Sequence, residues 1–522
     1  MSSDNSSYDV VIVGGGHNGL VSAAYLDKAG KSVLVLEQND YIGGASTSQQ
    51  IFPDYAANLS RYAYLVSLFP EKIIQDLGLS LQLSRRKIAS FTPFQRNNHH
   101  QGLLLSNTSE AANQQQIDLL RPQDYAGYQQ MAALQQLFSE KIWDSFLAPL
   151  QSKNDWEKQF TTSEEKLAWR TFVEEPIGHF IEKYIQDDVL RGVVLTDAKI
   201  GAFTHAHDLN LLQNRTFLYH IVGNKTGEWR VPVGGMGALV NALQNASPNT
   251  AFLTSATVTD LHIGDLYHTV SFQKNHDRYD IRAKHVLVNA SPQTLGSLLG
   301  TPYVPQLEDE GTAFKVNMLL HRLPQLKAKN INPAEAFAGT FHINQSYQQM
   351  EVAYQEAVNQ QIPSLPPCEI YCHTLTDNST LSPELVQKGY QTLTLFGLDM
   401  PYYLFEQNPE AAKKQVVKAY LEGINSYLDE PIEACIAKAA DGSLCIEAKS
   451  AWDLEKELGL PRGNIFHNAL SWFFAEKEPE TGQRGIETTH ERLHICGSSA
   501  KRGGAVSGIT GYHAAMKVLG IA

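Results

Sequence analysis

The chain has 522 residues, of which 43% are hydrophobic and 19% charged, and its formal net charge is −13. This length is too great for one hydrophobic core and suits two closely joined domains. An acidic chain without a long basic run is a poor nucleic-acid binder, and no stretch of about 20 apolar residues is available to span a membrane. The polar segment 1–8 lacks the pattern of a secretory signal. We therefore expect a folded cytoplasmic protein, for which peripheral contact with a membrane stays open.

The first predicted unit is a strand, a glycine-rich turn, a helix and a second strand. The apolar run Val10 to Val13 is typical of a buried parallel strand and leads into Gly14-Gly15-Gly16-His17-Asn18-Gly19, a G-x-G-x-x-G motif. Leu20 to Ala29 has helical spacing, and a second apolar run, Ser32 to Leu36, ends at Glu37. This order is the fingerprint of a dinucleotide-binding unit.

Each part of the fingerprint has a physical role. Gly14 permits the sharp turn, Gly16 lets the backbone approach a pyrophosphate, and Gly19 allows the helix to pack closely on the strand. The free N–H groups at the start of the helix attract phosphate. Glu37 is placed to accept hydrogen bonds from a ribose hydroxyl and would repel a 2′-phosphate, so NADP is not expected at this site.

The residues after Glu37 resemble those of one class of nucleotide-binding enzymes. Gly43-Gly44 follows the ribose acid as it does in FAD-dependent oxidoreductases with the glutathione-reductase/amine-oxidase type of domain. Two stretches are similar to the phytoene-desaturase-like family: the motif G-x-G-H-N-G-L and the segment ASTSQQIFPDY (45–55). Within that family they resemble most the group called pyridine nucleotide-disulfide oxidoreductase domain-containing protein 2. The resemblance implies FAD, with contacts in this stretch from Gly14, Gly16, His17, Asn18, Gly19, Glu37, Gln38, Gly43, Gly44 and Ala45.

The cysteines argue against the disulfide chemistry in that group's name. Disulfide reductases of this class carry a redox cysteine pair soon after the first Gly-Gly, where this chain reads ASTSQQ, and its five cysteines begin only at Cys368. An odd and sparse set suits a reducing compartment. We expect Cys368 and Cys372, which share one face of a predicted strand, to be buried thiols without a redox role.

The segment that follows predicts a helix and then a helical insert. Glu71 to Leu77 is a predicted helix that ends at Gly78. By the resemblance, Arg61, Tyr62 and Tyr64 either line the reactive face of the flavin or belong to the core and surface. Glycine is then rare, and amphipathic helices are predicted at Tyr125 to Trp143, Ser163 to Phe172 and Pro176 to Tyr184. His205 and His207 lack a third ligand at metal-site spacing, so no metal is expected.

The middle of the chain predicts a return to the nucleotide-binding domain and then a second insert. A helix at Gly237 to Asn245 precedes strand-like AFLTSATVTDL (251–261), in which the resemblance sets Val258 against the adenine. No second G-x-G-x-x-G is present, so a separate NAD(P)H domain is not expected. The remaining predicted strands are Leu266 to Gln273, Arg282 to Val288, Ala313 to Leu320, Glu369 to Leu375 and Tyr390 to Gly397, and Ala411 to Leu428 is a predicted helix.

The C-terminal stretch supplies a second cofactor signal. A predicted strand, Arg492 to Ser499, and a predicted helix, Tyr512 to Leu519, enclose a glycine-rich segment. Here the chain reads A-K-R-G-G where carotenoid enzymes of the family read T-H-P-G-G, which puts a carotenoid substrate in doubt. Lys501 or Arg502 either recognises a polar substrate group or lies on the surface. By the resemblance, the cofactor contacts are Gly497, Ser498, Gly504, Val506 and Ser507.

These observations predict an α/β fold with one inserted domain. A doubly wound FAD-binding domain of the glutathione-reductase/amine-oxidase type is expected from residues 1–84, 224–298 and 461–522. A mixed α+β substrate domain is expected from residues 85–223 and 299–460.

The predicted function is an FAD-dependent oxidoreductase that desaturates, saturates or isomerises C–C bonds of a small hydrophobic, isoprenoid-like or lipid-like substrate held against the flavin. A flavin amine oxidase and a flavin-binding regulatory protein with little turnover stay open as alternatives. The sequence assigns no catalytic residue, electron acceptor or oligomeric state.

Overall fold

The structure is a computed structural model that describes residues 7–521. The predicted absence of a secretory signal concerns residues 1–8, of which 1–6 lie outside the described residues. Within residues 7–521, none of the helices combines the length and the apolar character needed to cross a bilayer.

The strands are numbered in chain order. They are β1 (Ser7–Val13), β2 (Val33–Leu36), β3 (Ser48–Gln49), β4 (Leu59–Ser60), β5 (Leu83–Ser84), β6 (Ile88–Arg96), β7 (His99–Ser106), β8 (Val231–Pro232), β9 (Ala251–Leu253), β10 (Thr257–His262), β11 (His268–Lys274), β12 (Asp277–Val288), β13 (Phe314–Leu320), β14 (Thr340–Ile343), β15 (Cys368–Tyr371), β16 (Gln391–Gly397), β17 (Ile446–Lys449) and β18 (Leu493–Ile495).

The α-helices are numbered in the same way. They are α1 (His17–Lys28), α2 (Glu71–Leu77), α3 (Glu110–Leu120), α4 (Asp124–Ile142), α5 (Lys153–Glu157), α6 (Ser163–Trp169), α7 (Ile177–Tyr184), α8 (Asp188–Leu195), α9 (Leu212–Ile221), α10 (Met236–Asn245), α11 (Pro292–Leu298), α12 (Pro333–Ala336), α13 (Tyr347–Val358), α14 (Pro383–Gln387), α15 (Pro409–Asn425), α16 (Ala451–Leu458) and α17 (Ile509–Leu519). Short 3₁₀ segments cover Trp143–Leu147, Thr196–Ala198, Gly223–Lys225, Leu307–Asp309, His373–Leu375, Tyr402–Phe405, Ile432–Ala434, Pro461–Gly463 and Glu478–Glu480.

The first large sheet is the centre of the nucleotide-binding fold. Its parallel strands follow the order β18-β12-β1-β2-β9, and β11 and β10 extend it in antiparallel fashion beyond β12. Val10 and Ile12 of β1 pack with α1, α10 and α17, whereas Val11 and Val13 pack with α11 and the β10–β12 meander. Because successive side chains of a strand point to opposite faces, one apolar run fills both cores. The predicted α/β fold of the FAD type is confirmed.

The second large sheet combines strands from two distant parts of the chain. Its order is β17-β13-β16-β15-β14-β6-β7, with β6 and β14 parallel and the other pairs antiparallel. Strands β6 and β7 come from residues 85–223, and the other five come from residues 299–460. The two inserted segments therefore build one sheet together.

The opening of residues 85–223 differs from the predicted helical insert. It is the β6–β7 hairpin, whose two-residue loop, Asn97-Asn98, has positive φ at both positions, as a tight hairpin turn needs. Pro93 in β6 and the surrounding glutamines conceal the strand pattern in the sequence. From α3 to α9 the segment is helical, and a π-helical turn, Arg170–Glu174, continues α6.

Two further boundaries differ from the predicted ones for local reasons. Helix α1 begins at His17, three residues before the predicted start, because the last residues of the glycine motif form its first turn. The strand predicted at Glu369 to Leu375 ends at Tyr371, and a 3₁₀ turn follows it.

Candidate functional site

The candidate site begins where the parallel strands of the first sheet end. Gly14 follows β1, Glu37 follows β2, Asn289 follows β12, and Ser498 lies just beyond β18. All four line one cavity of about 730 Å³ that continues to the second sheet. Parallel strands end at a common edge, and in open α/β folds ligands bind in the crevice at that edge.

The structure brings most of the predicted cofactor residues to the wall of this cavity. Those that line it are Gly14, Gly16, His17, Asn18, Glu37, Gln38, Gly44, Ala45, Val258, Ser498 and Val506. Gly19, Gly43, Gly497, Gly504 and Ser507 lie behind the wall instead.

The residues behind the wall shape it by close packing. A Cβ on Gly19 would stand 2.7 Å from the carbonyl oxygen of Gly14, and one on Gly504 would stand 2.7 Å from Leu470. The N–H of Gly43 donates to the carbonyl of Gly15 at 2.9 Å, which fastens the Gly-Gly segment to the first turn. Gly497 lies against Asn289, and the buried Ser507 hydroxyl accepts a 3.4 Å bond from the N–H of Ile509.

Glu37 is held in a fixed position at the edge of the cavity. One carboxylate oxygen accepts a 2.7 Å hydrogen bond from the N–H of Gly15, and the other accepts a 2.9 Å bond from the N–H of Asn39. The residue is only 5% exposed. A carboxylate that is oriented by two backbone groups is ready to accept further hydrogen bonds from a ligand hydroxyl.

Asn289 is a site residue that the sequence did not single out. Its side-chain nitrogen donates to the carbonyls of Gly14 and Gly16, each at 3.1 Å, and so fixes the conformation of the glycine turn from the neighbouring strand. Its position in the sequence could have indicated this role, because Asn289 is the first residue after a third parallel strand, β12.

Two polar side chains at the start of α1 have unused hydrogen-bonding atoms. Among the described residues, Nε2 of His17 and Oδ1 of Asn18 have no hydrogen-bond partner although both atoms are buried. The other ring nitrogen of His17 contacts the Ser46 hydroxyl at 3.1 Å. Burial, aided by the nearby His467, lowers the pKa of His17 to about 4, so the ring is neutral at physiological pH.

Aromatic side chains line the inner half of the cavity. Tyr62, Tyr64, Tyr371 and Phe396 face it, and the ring centroids of Tyr64 and Tyr371 are 4.9 Å apart. Arg61 does not line it, because its side chain pairs with Glu447, with 2.5 Å between Nη2 of Arg61 and Oε1 of Glu447. The two tyrosines of the Arg61-Tyr62-Tyr64 set are thus placed at the cavity and the arginine is not.

A buried lysine of β13 also faces the cavity. The ammonium group of Lys315 donates to the carbonyls of Ser60, at 2.8 Å, and Tyr62, and it lies 4.5 Å from the ring centroid of Tyr64. Burial holds the pKa of Lys315 well below its usual value. A single lysine in the apolar run FKVNMLL was the sequence signal for this residue, because a lone buried charge needs a specific reason.

Three charged residues from separate segments meet at the inner wall, and we call Arg86, Asp197 and Glu369 the polar end of the cavity. The Thr196 hydroxyl donates to Glu369 at 2.9 Å, and the Tyr371 hydroxyl donates to its other oxygen. Burial raises the pKa of Asp197 to about 7, and burial together with Asp197 raises that of Glu369 to about 7. Each of the three lies more than a hundred residues from the other two, so the sequence could not group them.

Other candidates from the sequence lie away from the cavity. His207 contacts Glu182 at 2.8 Å between ring nitrogen and carboxylate, outside the cavity wall. Cys368 and Cys372 are buried and free, and burial raises the pKa of Cys372 to about 12. In the part of the chain that the structure describes, no group of three or more His, Cys, Asp or Glu side chains is arranged to hold a metal ion.

Lys501 and Arg502 have different roles. Lys501 forms ion pairs with Glu476 and Glu480, at 2.6 and 3.0 Å. Arg502 is fully buried and donates to the carbonyls of Ser145 and Ala148. Neither residue lines the cavity, so of the two open alternatives the surface position fits Lys501, whereas Arg502 fits neither and is a packing residue.

Comparisons with known proteins agree with this fold. A family model described as an NAD(P)-binding Rossmann-like domain matches residues 12–71. An uncharacterized protein of Mycobacterium tuberculosis is 41% identical over 528 residues, which cover 99% of this chain and 98% of that protein. The mouse pyridine nucleotide-disulfide oxidoreductase domain-containing protein 2 is 28% identical over 97% of this chain and 92% of its own length. Among solved structures, a putrescine oxidase variant matches with a TM-score of 0.58 at 17% identity over 99% of each chain.

Proposed function

Because this chain belongs to the family of the Mycobacterium tuberculosis protein and has an FAD-type oxidoreductase fold, we propose that it is an FAD-dependent oxidoreductase. Its substrate is a small hydrophobic molecule, and its reaction desaturates, saturates or isomerises C–C bonds in the manner of the phytoene-desaturase-like enzymes. The sequence motifs support this class, and the mouse relative is named as an oxidoreductase.

One observation carries the proposal: the nucleotide fingerprint and an aromatic chamber share a single cavity. The cavity begins at Gly14 and Glu37, at the end of the parallel strands, and ends among Tyr64, Tyr371 and Phe396. An extended dinucleotide with a reactive ring at one end suits this shape, because its adenosine would lie at the strand ends and its ring among the aromatic groups. A simple nucleotide site would not need the second half.

The residues of the chain fit FAD. Glu37 would hold the ribose of the adenosine, beside Val258 of β10. Backbone N–H groups at the start of α1 would meet the pyrophosphate, where the unpartnered nitrogen of His17 offers a further polar contact. Ala45 and Val506 are small enough to let a flat ring approach from the side of the first sheet.

The chain's own contribution to the reaction is placement and exclusion of water. FAD, when bound, supplies the capacity to accept or donate a hydride equivalent. Apolar side chains, among them Leu65, Phe217 and Ile465, would desolvate the substrate. Lys315, held by two backbone carbonyls, keeps a hydrogen-bond donor at a fixed point of the wall.

The first test is the cofactor itself. We expect purified protein to carry FAD, identified by its absorbance spectrum and by extraction. Glu37→Gln should weaken FAD binding by about tenfold or more, since hydrogen bonds to a charged group contribute about 1.5–3 kcal/mol. Asp40→Asn, which changes an exposed carboxylate three residues away, is the matched control. Protein that neither retains nor takes up FAD would contradict the proposal.

The second test identifies the electron donor. Without oxygen, NADH and NADPH are added separately to the flavin-loaded protein and the flavin absorbance is followed. We expect no rapid bleaching, because the chain has no second G-x-G-x-x-G motif for a nicotinamide cofactor. The organic substrate is then the donor, which favours a desaturase. Rapid bleaching would assign the enzyme to reductases or saturases instead.

Amine oxidation is the second candidate function. The facing rings of Tyr64 and Tyr371, with the carboxyl groups of Asp197 and Glu369 nearby, would suit a cationic amine, and the putrescine oxidase shares the fold. Bleaching of the flavin by primary amines but not by apolar lipids, followed by reoxidation in air, would establish this alternative.

A further inference from the structure

Arg86 lines the cavity and forms no ion pair with the described residues, although the carboxyl groups of Glu369 and Asp197 are near enough to act on its charge. Its Nε donates to the carbonyl of Trp229 at 3.3 Å and its Nη1 to the Thr340 hydroxyl at 3.1 Å, while the guanidinium lies 5.7 Å from the ring centroid of Tyr371. Among residues 7–521, no carboxylate lies within ion-pair distance of it, and its Nη2 has no hydrogen-bond partner. The side chain lines the cavity.

Asp197 completes the unsatisfied set on the same wall. Its carboxyl group accepts no hydrogen bond from any described residue and forms no ion pair, although the charge of Arg86 is close enough to lower its pKa somewhat against the larger effect of burial. Glu369, in contrast, is already bonded to Thr196 and Tyr371. Arg86 and Asp197 thus both line the cavity and do not form an ion pair with each other.

Arg86 is half-buried, and a partly desolvated charge without an ion-pair partner is unfavourable, so a ligand is the natural source of that partner. The guanidinium is a planar fork whose geometry matches a carboxylate. Burial raises the pKa of Asp197 and of Glu369 to about 7, so these two carboxyl groups only partly balance the charge of Arg86 at neutral pH. The polar end therefore favours an anionic oxygen group over a cation.

The surroundings of the polar end limit what carries that group. Leu68, Met131, Val193 and Phe217 also line the cavity and offer apolar surface to a hydrocarbon part of the ligand. We propose that the substrate is an amphipathic carboxylic acid, whose carboxylate pairs with Arg86 while its hydrocarbon part extends along the apolar wall toward Tyr64. This inference deepens the proposed function and rests on it, and it sets the substrate apart from a pure hydrocarbon.

The test compares head groups of equal chain length. Decanoate, decanol and decylamine are titrated into the flavin-loaded protein, and binding is followed by the change in flavin absorbance and by the shift of the thermal unfolding midpoint. We expect decanoate to bind at least about tenfold more tightly than decanol or decylamine, because a charge-assisted hydrogen bond usually contributes that much to affinity.

Substitutions assign the preference to Arg86. Arg86→Gln should remove the preference for decanoate, whereas Lys87→Gln, which deletes an exposed positive charge beside it, should leave the preference unchanged. If Arg86→Gln does not fold, Arg86→Lys carries the test, because an ammonium keeps the charge and loses the fork. We expect it to lower the preference at least threefold.

Three results would overturn the inference. They are equal affinity for decanoate and decanol, an unchanged preference in the Arg86 variants, or tighter binding of decylamine that Asp197→Asn abolishes, which would assign the site to amines. Failure of the proposed function can be told apart from failure of this inference. A protein that binds no flavin contradicts the proposed function, and the thermal shift of that flavin-free protein with decanoate still tests the head-group site.

Discussion

At the scale of single residues, the site concentrates groups that are costly to bury. Four such groups face one cavity: Asp197, Glu369, Lys315 and Arg86. Burial raises the pKa of the two carboxyl groups and lowers the pKa of the lysine and the arginine, so in each case it favours the neutral form. Clusters of shifted pKa values in a cleft are typical of functional sites, because a structural core would replace such groups with apolar ones. Their presence is therefore evidence for ligand chemistry rather than for stability.

Asp197 makes a pH-dependent prediction. Its pKa is about 7 in the folded protein, raised by burial from 3.8, so the folded state holds a proton that the unfolded state has released between those values. Stability therefore falls as pH rises from about 4 to about 7 and stays reduced above that range. Asp197→Asn removes the ionisation and should raise the stability at pH 8 by on the order of 2 kcal/mol, with little difference at pH 4.

The measurement is the urea midpoint of flavin-free protein at the two pH values. Asp188→Asn, in the first turn of α8, is not a suitable control, because the half-buried Asp188 carboxylate accepts a hydrogen bond from the N–H of Gln348. Asp118→Asn on α3 is the better match, because the half-buried Asp118 side chain forms no hydrogen bond or ion pair with the described residues. Equal gains at pH 4 and pH 8 would show that Asp197 is ionised throughout.

At the scale of elements, the turn between β1 and α1 decides whether a cofactor can approach. Gly14 has φ of +98°, and a Cβ there would stand 2.6 Å from the carbonyl oxygen of Asn289. The same asparagine braces the turn through its side chain. The turn is thus built by β1, α1 and β12 together, and its glycine is required both by backbone conformation and by contact.

Gly14→Ala and Gly30→Ala separate these two requirements. Gly30, just beyond α1, also has positive φ, at +73°, but a Cβ there would meet nothing within 4 Å. Gly30→Ala should destabilise the protein by about 1 kcal/mol through backbone strain alone. Gly14→Ala should cost about 3 kcal/mol or more and abolish FAD retention, since strain and overlap act together. Urea midpoints and flavin content measure both, and similar losses in the two variants would refute the role of the Asn289 contact.

At the scale of the whole molecule, a buried arginine joins distant segments of the chain. The C-terminal segment is tied to the helical insert by Arg502, which donates to the carbonyls of Ser145 and Ala148 and to that of Arg484, the last at 2.8 Å. Burial lowers the pKa of Arg502 to about 10, so it remains charged at neutral pH. One guanidinium thus joins two segments that are distant in sequence, 145–148 and the region of Arg484.

Arg502→Met tests this tie. The carbonyls of Ala148 and Arg484 would lose this donor, and the carbonyl of Ser145 would keep only its bond from the N–H of Ala148. We therefore expect a loss of about 3 kcal/mol or more in stability, together with faster release of FAD. Lys501→Met removes only surface ion pairs and should change stability by about 1 kcal/mol or less. Denaturation midpoints and flavin release rates decide, and an effect of Arg502→Met no larger than that of Lys501→Met would contradict the assignment.

The sequence by itself determined the nucleotide-binding fold and most of the first half of the site. The run from Val10 to Glu37 is local, and its glycines, helix start and acidic residue act within one short unit whose geometry the backbone rules fix. The sequence could not separate residues behind the cavity wall, such as Gly504 and Ser507, from residues that line it. A motif shows that its residues lie near the cofactor site, but it does not show which of them face the cavity.

Only the tertiary structure decided the second half of the site. The hairpin β6–β7, concealed by Pro93 and glutamines, joins strands from residues 299–460, and this pairing brings Arg86, Asp197 and Glu369 to one wall. Asn289 and Arg502 acquire their roles in the same way, from carbonyls on distant segments. A linear pattern reports periodicity and local turns. The grouping of Arg86, Asp197 and Glu369 around one cavity arises only when the chain folds, so no local signal in the sequence predicts it.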